Sequence, residues 1–237
     1  FYERATSHNN GTLTLGGAKN YLLVLTDANH EITTSDVAAS MSGCAGQRCM
    51  AAAAVLAVGN VDKIIKGICE KAKTIIPGIN LGAIISKEAK TRIENYISEA
   101  EEQGAVVLVD GRGSIVKNKE NGFYVGSTVI DHVTPEMKIA QEEVFGPVLV
   151  MIRYSTVDQA IEIANDTPYG LAAAVWAGDK DKATAIARKI RAGQVAINGG
   201  DPNDEAPFGG YKESGTGREF GEGGIHEYCA LKAMQNY

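Results

Sequence analysis

The sequence predicts an α/β fold, a mainly parallel sheet with flanking helices. Apolar runs of strand length, such as YLLVL (Tyr21 to Leu25) and PVLVMIRY (Pro147 to Tyr154), recur along the chain. Between them lie segments of 10 to 16 residues whose apolar positions follow helical spacing. Strands and helices therefore alternate, with neither an internal repeat nor a low-complexity linker, and that alternation builds parallel sheets.

After the strand Tyr21 to Leu25 comes a turn signal, Asp27-Ala28-Asn29. Thr34 or Ser35 is then expected to cap a helix through Val37, Ala38 and Met41. The glycine-bearing loop SGCAGQRC leads into a buried apolar run, Met50 to Val58. Val61 to Ile76 reads as an amphipathic helix, with Ile64, Ile65, Ile68, Ala72 and Ile75 on one face. Glu88 to Gln103 reads as a second, with Gly104 as its C-cap. VVLVD (Val106 to Asp110) is a strand, and GRGSIVKNKENG a turn-rich surface excursion in a hairpin. FYVGSTVIDHV and PVLVMIRY supply further strands. Thr156 and Gln159 form a capping box for a helix from Val157 to Asn165. LAAAVWA is a strand, Lys180 to Ala192 a helix and QVAIN a strand. Gly199 to Gly224 is a long loop rich in Gly, Pro and charge, of the kind that carries function. The closing EYCALKAMQNY reads as an exposed or exchanged strand, an oligomerisation edge. Residues 1–225 are thus one domain and 226–237 a tail.

Composition narrows the function. Net charge is −6 and no basic stripe occurs, which argues against nucleic acid or an anionic membrane as partner. No apolar run approaches the roughly 20 residues of a membrane span. The amino end, FYERATSHNN, has neither an initiator Met nor an apolar signal core, so a mature or partial chain is expected. Cys44, Cys49, Cys69 and Cys229 are too few for a disulfide framework in a chain this long, so a reducing, cytoplasmic setting is expected. The histidines are dispersed and no CxxC or HxxxH pair occurs, so no metal site is expected.

The strongest candidate for chemistry is Cys49 in GQRCM. A thiol reacts as thiolate and needs access and a positive or dipolar environment. Gly46 lets the backbone approach a bound group closely, and Arg48 supplies charge beside the thiol. The Cys49 backbone N–H can stabilise an oxyanion. The alternative is an inert, buried cysteine.

Ordered blocks then bear on the choice: LGGAKN at Leu15 to Asn20, GQRC at Gly46 to Cys49, EEVFGPVL at Glu142 to Leu149, NDTPYGL at Asn165 to Leu171, and PFGGYKESGTGRE at Pro207 to Glu219. In these blocks the chain resembles the carboxyl-terminal, catalytic half of the aldehyde dehydrogenase superfamily over essentially its whole length. The resemblance implies that fold, with Cys49 as the nucleophile that attacks an aldehyde. The product of hydride loss to NAD or NADP is then an enzyme thioester. It assigns Glu143 to the nicotinamide ribose hydroxyls, the alternative being a solvated surface acid. Phe145 would pack near the ribose and nicotinamide, and Phe208 would line the aldehyde pocket, with a core position as the alternative for each. Glu219 would join a proton or water network. Asn198 would order the site or simply make a turn. Arg48 would pair with a substrate carboxylate or only tune Cys49. A homo-oligomer is implied by the resemblance alone.

Hydrolytic members of that family carry a Glu in the block ELGGK that activates water. Here Leu15, 34 residues before Cys49, takes its place, or Thr14 if the glycine pair is aligned. Neither is a base. GAKN and GQRCMA resemble the methylmalonate-semialdehyde dehydrogenase branch, which releases its thioester to coenzyme A. INGG and PFGGYKESGTGRE resemble hydrolytic members, and Glu219 is then the alternative base. The dinucleotide-binding half is expected to be largely missing, because FYERA corresponds to the segment after that half's glycine-rich turn. Residues 1–237 alone are accordingly expected to be inactive with NAD. A non-enzymatic assembly module stays open as the other class of function.

Overall fold

A computed structural model describes residues 16–201, 203–230 and 232–235. FYERA, Thr14 and Leu15 lie outside the described residues. Seven strands form one sheet: β1 (Tyr21–Leu25), β2 (Ala54–Val58), β3 (Val106–Val109), β4 (Thr128–Asp131), β5 (Val148–Tyr154), β6 (Ala172–Trp176) and β7 (Gln194–Ile197). Their order is β3-β4-β5-β2-β1-β6-β7. All neighbours pair in parallel except β3 with β4. The expected α/β class and mainly parallel sheet are what the chain adopts.

Strand side chains alternate between the two faces, and each face has its own core. On one, Leu23, Leu56, Val150 and Val175 pack beneath helices α3 (Lys87–Glu102), α5 (Val157–Asn165) and α6 (Lys180–Ala187). On the other, Leu22, Val55, Met151 and Trp176 pack beneath α1 (His30–Ser42) and α2 (Asp62–Lys73). β1 and β2 are buried at every position, which is why they read as unbroken apolar runs.

Several boundaries differ from those expected. Helix α1 starts four residues before Thr34, because Asn29 is the cap: its side chain accepts from the Ile32 N–H at 3.0 Å. Thr33 and Thr34 are buried inside the helix instead. Helix α2 stops at Lys73, short of Ile76, since the residue before Pro77 is disfavoured in helix. Helix α3 starts one residue early on the Ser86 cap, and Gly104 follows it with φ +98° as anticipated. Helix α6 ends at Ala187 in two successive turns, and β4 is cut short by His132 at φ 56°. Segment 111–122 is the strandless connection of the antiparallel β3–β4 pair. In the tail, the described residues 227–230 and 232–235 form no strand within the chain. An exchanged strand requires the edge of a second copy.

Two short helices complete the set, α4 (Lys138–Gln141) before β5 and α7 (Gly221–His226) after the long loop. Among the described residues no helix is long and apolar enough to cross a membrane.

Candidate active site

Parallel pairing places everything that precedes β5, β2, β1, β6 and β7 along one rim of the sheet. Lys19 and Asn20 precede β1, Cys49 precedes β2, Glu143 and Phe145 precede β5, and Gly170 precedes β6. Open α/β sheets usually bind ligands at the carboxyl ends of their strands. This one gathers its thiol and carboxylate at the amino ends.

The thiol loop is shaped by backbone conformation. After α1, Cys44, Ala45 and Gly46 adopt left-handed φ values of 52°, 55° and 67° in succession. Two of these are not glycine, and such strain persists only where the surroundings impose it. At Gly46 they do: a Cβ there would lie 2.0 Å from the Gly146 carbonyl oxygen. The thiol loop and the EEVFGP loop thus touch backbone to backbone. Gln47 anchors the other flank, donating to the Ala83 carbonyl at 3.1 Å and accepting from the Ile85 N–H at 2.9 Å. A turn closed by the Ala51 N–H on the Arg48 carbonyl then presents Cys49, which is exposed.

Cys49, Glu143, Val144 and Phe145 line a single narrow crevice together with Ala18 and Asn20. It holds about 20 Å³, room for about one water molecule. Phe145 is 38% exposed and strained at φ 54°, so its ring is available for stacking instead of belonging to the core. Arg92 of α3 fixes the loop from outside, donating to the Val144 carbonyl at 2.8 Å. Tyr96 bonds the Glu142 carboxylate. Burial pushes the Glu143 carboxyl above its ordinary range. A hydrogen bond from the Ala18 backbone and the Lys19 and Arg92 charges only partly offset that push.

Two residues of this rim were not singled out from sequence. Asn20 donates to the carbonyls of Cys49 at 2.7 Å and Ala51 at 2.9 Å. Lys19 is 4% exposed and donates to the Ile139 carbonyl at 2.6 Å. The signal available for both was a polar pair opening a fully apolar strand, which buries two groups that need partners.

Burial lowers Lys19 to about 7, against the pull of Glu143 and Glu142. An unfolded lysine titrates near 10.4, so the folded state binds fewer protons between about pH 7 and about 10. The wild type then gains stability as pH rises through that window and loses it again as pH falls to about 7. Relative to Lys19→Met, that gain is expected to be on the order of 4 kcal/mol. Urea unfolding of both proteins from pH 6 to 10 checks it, and parallel stability curves would show that Lys19 is charged in the fold.

Arg48 also lines the crevice, whereas Phe208, Glu219 and Asn198 lie elsewhere. The Arg48 guanidinium folds back over Gly43 and donates to the Ser40 carbonyl at 3.2 Å, at the end of α1. Phe208 and Glu219 pair with each other through two 2.7 Å backbone bonds, and the Phe208 ring meets Phe220 edge-on at 6.2 Å. Neither lines the Cys49 crevice. Glu219 borders a separate cavity with Phe220, Ile225 and Tyr228. The intervening residues return to the amino rim, where Ser214 bonds the Gly17 carbonyl and the Gly170 N–H. Asn198 follows β7, so it sits at the carboxyl rim, opposite Cys49. Its φ is 50° and its side chain accepts from Ala177 at 2.9 Å, which is turn-making geometry.

The donor set fits one end of a nicotinamide dinucleotide. Glu143 offers a carboxylate suited to a vicinal diol, and Phe145 an exposed ring.

A family model described as the aldehyde dehydrogenase family matches residues 1–234. The mitochondrial acylating methylmalonate-semialdehyde/malonate-semialdehyde dehydrogenases of Bos taurus and Homo sapiens are 37% identical to this chain over 98% of its length and 45% of theirs. The crystal structure of betaine aldehyde dehydrogenase from Staphylococcus aureus in complex with NAD+ superposes with a TM-score of 0.88 at 34% identity. It is matched over 96% of this chain and 47% of its own. The chain spans about half the length of the relatives it matches.

Proposed function

The chain belongs to the aldehyde dehydrogenase family, and we propose that it carries the nucleophile of a nicotinamide-dependent dehydrogenase acting on a semialdehyde. One observation carries this reading: an exposed cysteine and a half-buried carboxylate share a crevice built from two loops in backbone contact. Cys49 attacks the aldehyde carbon through its thiolate, and the carbonyl oxygen takes the negative charge. Collapse of that adduct expels hydride and leaves an acyl thioester on Cys49. NAD or NADP, when bound, accepts the hydride, and Glu143 and Phe145 would hold its ribose and nicotinamide end. Homo-oligomeric assembly, together with a cofactor-binding half, belongs to the same proposal. Free thiols at all four cysteines suit a reducing compartment such as the cytosol.

For release of the acyl group, coenzyme A is the favoured acceptor. Glu219 does not line the Cys49 crevice, which weakens the reading in which it activates water. A thiol acceptor supplies its own thiolate and needs less help from a base. The relatives at 37% identity carry the word acylating in their names.

The test gives the complete dehydrogenase a carboxylated semialdehyde and NAD, with and without coenzyme A. Without it, NADH formation is expected to stop at about one equivalent per site, with the thioester detectable by mass spectrometry. With it, turnover resumes and acyl-coenzyme A accumulates. Steady acid formation indifferent to coenzyme A would transfer the assignment to a hydrolytic enzyme.

A further inference from the structure

The side chain of Asn20 uses nearly its whole hydrogen-bonding capacity on the site. Both Nδ2 protons are donated, one to the Cys49 carbonyl at 2.7 Å and one to the Ala51 carbonyl at 2.9 Å. Its Oδ1 accepts from the Ala172 N–H at 3.3 Å, at the start of β6. The Asn20 backbone carbonyl accepts from Ala54 at 3.1 Å, which begins β2. The orientation of the carboxamide is dictated by these partners. Turned over, it would set an oxygen against two carbonyls and an NH2 group against an N–H. Asn20 is buried, so water cannot replace a lost partner without reopening the core.

We infer that Asn20 is the positioning residue for Cys49, fixing the peptide plane from which the thiol projects. The inference rests on the reading of Cys49 as the nucleophile. With the carbonyl of Cys49 held on the inner side, the direction of its Cα–Cβ bond is set by the sheet through β1, and not by the loop itself. The loop needs such a tie, because three successive left-handed residues precede it and Cys49 itself is exposed. No other side chain donates to the Cys49 carbonyl among the described residues. Aspartate could not donate at all, and serine could satisfy only one of the two carbonyls.

Positioning and reactivity separate experimentally. Alkylation by iodoacetamide needs only a thiolate and access. Attack on an acyl carbon also needs a trajectory and donors aligned to the developing oxyanion. With p-nitrophenyl acetate, the Cys49 sulfur forms a bond to the acetyl carbon, the C–O bond breaks, and p-nitrophenolate leaves with the electron pair. The thiol proton passes to solvent, and no cofactor is needed. In Asn20→Ala the acylation rate of Cys49 is expected to fall about 30-fold, while its alkylation rate stays within about threefold of the parent. Asn20→Ser should fall between the two. Buried Cys69 serves as an internal monitor: if it becomes reactive in Asn20→Ala, the fold has opened and Asn20→Ser decides by the same two rates.

Acylation in the variant that matches the parent, or that declines only in step with alkylation, overturns the inference. A parent protein whose acylation does not depend on Cys49, as judged with Cys49→Ser, removes the nucleophile reading, and this inference with it.

Discussion

Exchanging Cys49 for serine is expected to cut aldehyde turnover in the complete dehydrogenase by on the order of 10⁴-fold. A hydroxyl occupies the same place, but its pKa lies far above that of a thiol, so far less of it is ionised near neutral pH. Glu143 is the one carboxylate lining the crevice among the described residues, and the proposed function gives it to the nicotinamide ribose. The assay is NADH formation under saturating aldehyde, with mass spectrometry for the covalent adduct. Retention of more than about one per cent of the turnover would place the chemistry on another group. The parent protein addresses the assembly-module alternative. Iodoacetamide should modify Cys49 well ahead of buried Cys69 at pH 7, and equal rates would favour a module without chemistry.

The second large effect belongs to Gly46→Ala. Its Cβ would sit 2.0 Å from the Gly146 carbonyl oxygen and 2.2 Å from the carbonyl carbon, both backbone atoms that cannot swing aside. The residue also holds φ +67°, where any side chain is strained. Overpacking and the backbone penalty together should cost about 3 kcal/mol. Urea unfolding gives the number, and acylation of Cys49 should fall as well, because separating the two loops opens the crevice. A loss under about 1 kcal/mol would mean that the loops are not in the contact described.

Much of this architecture was legible from residue patterns. The unbroken apolar runs of β1 and β2 reported two-sided burial, and the amphipathic stripe of α3 reported one. Errors arose where competing caps were available: Asn29 prevailed over Thr34 because it stands nearer the turn and its side chain reaches the Ile32 N–H. Within the site, Cys49 and Glu143 line one crevice. The direction of Arg48 was not legible, since it follows from the left-handed turn over Cys44, Ala45 and Gly46 that delivers its side chain onto Gly43. The pairing of Phe208 with Glu219 was hidden for a similar reason. It depends on backbone bonds across a loop, and those leave no periodic trace in composition. Lys19 and Asn20 leave a weak signal, because polar residues beside a strand are common, and the packed sheet establishes that both are buried.

The placement of the thiol at the amino rim has an electrostatic consequence. Crossover helices run against the strands they join, so α1, α5 and α6 end at this rim and point the negative poles of their macrodipoles toward it. A thiolate, an oxyanion and a pyrophosphate are all disfavoured by such poles. The Arg48 guanidinium, seated on the Ser40 carbonyl at the end of α1, neutralises the pole nearest Cys49. The positive helix ends that usually cradle phosphate face the far rim in these three helices, so a dinucleotide's phosphates must find their donors on structure outside them.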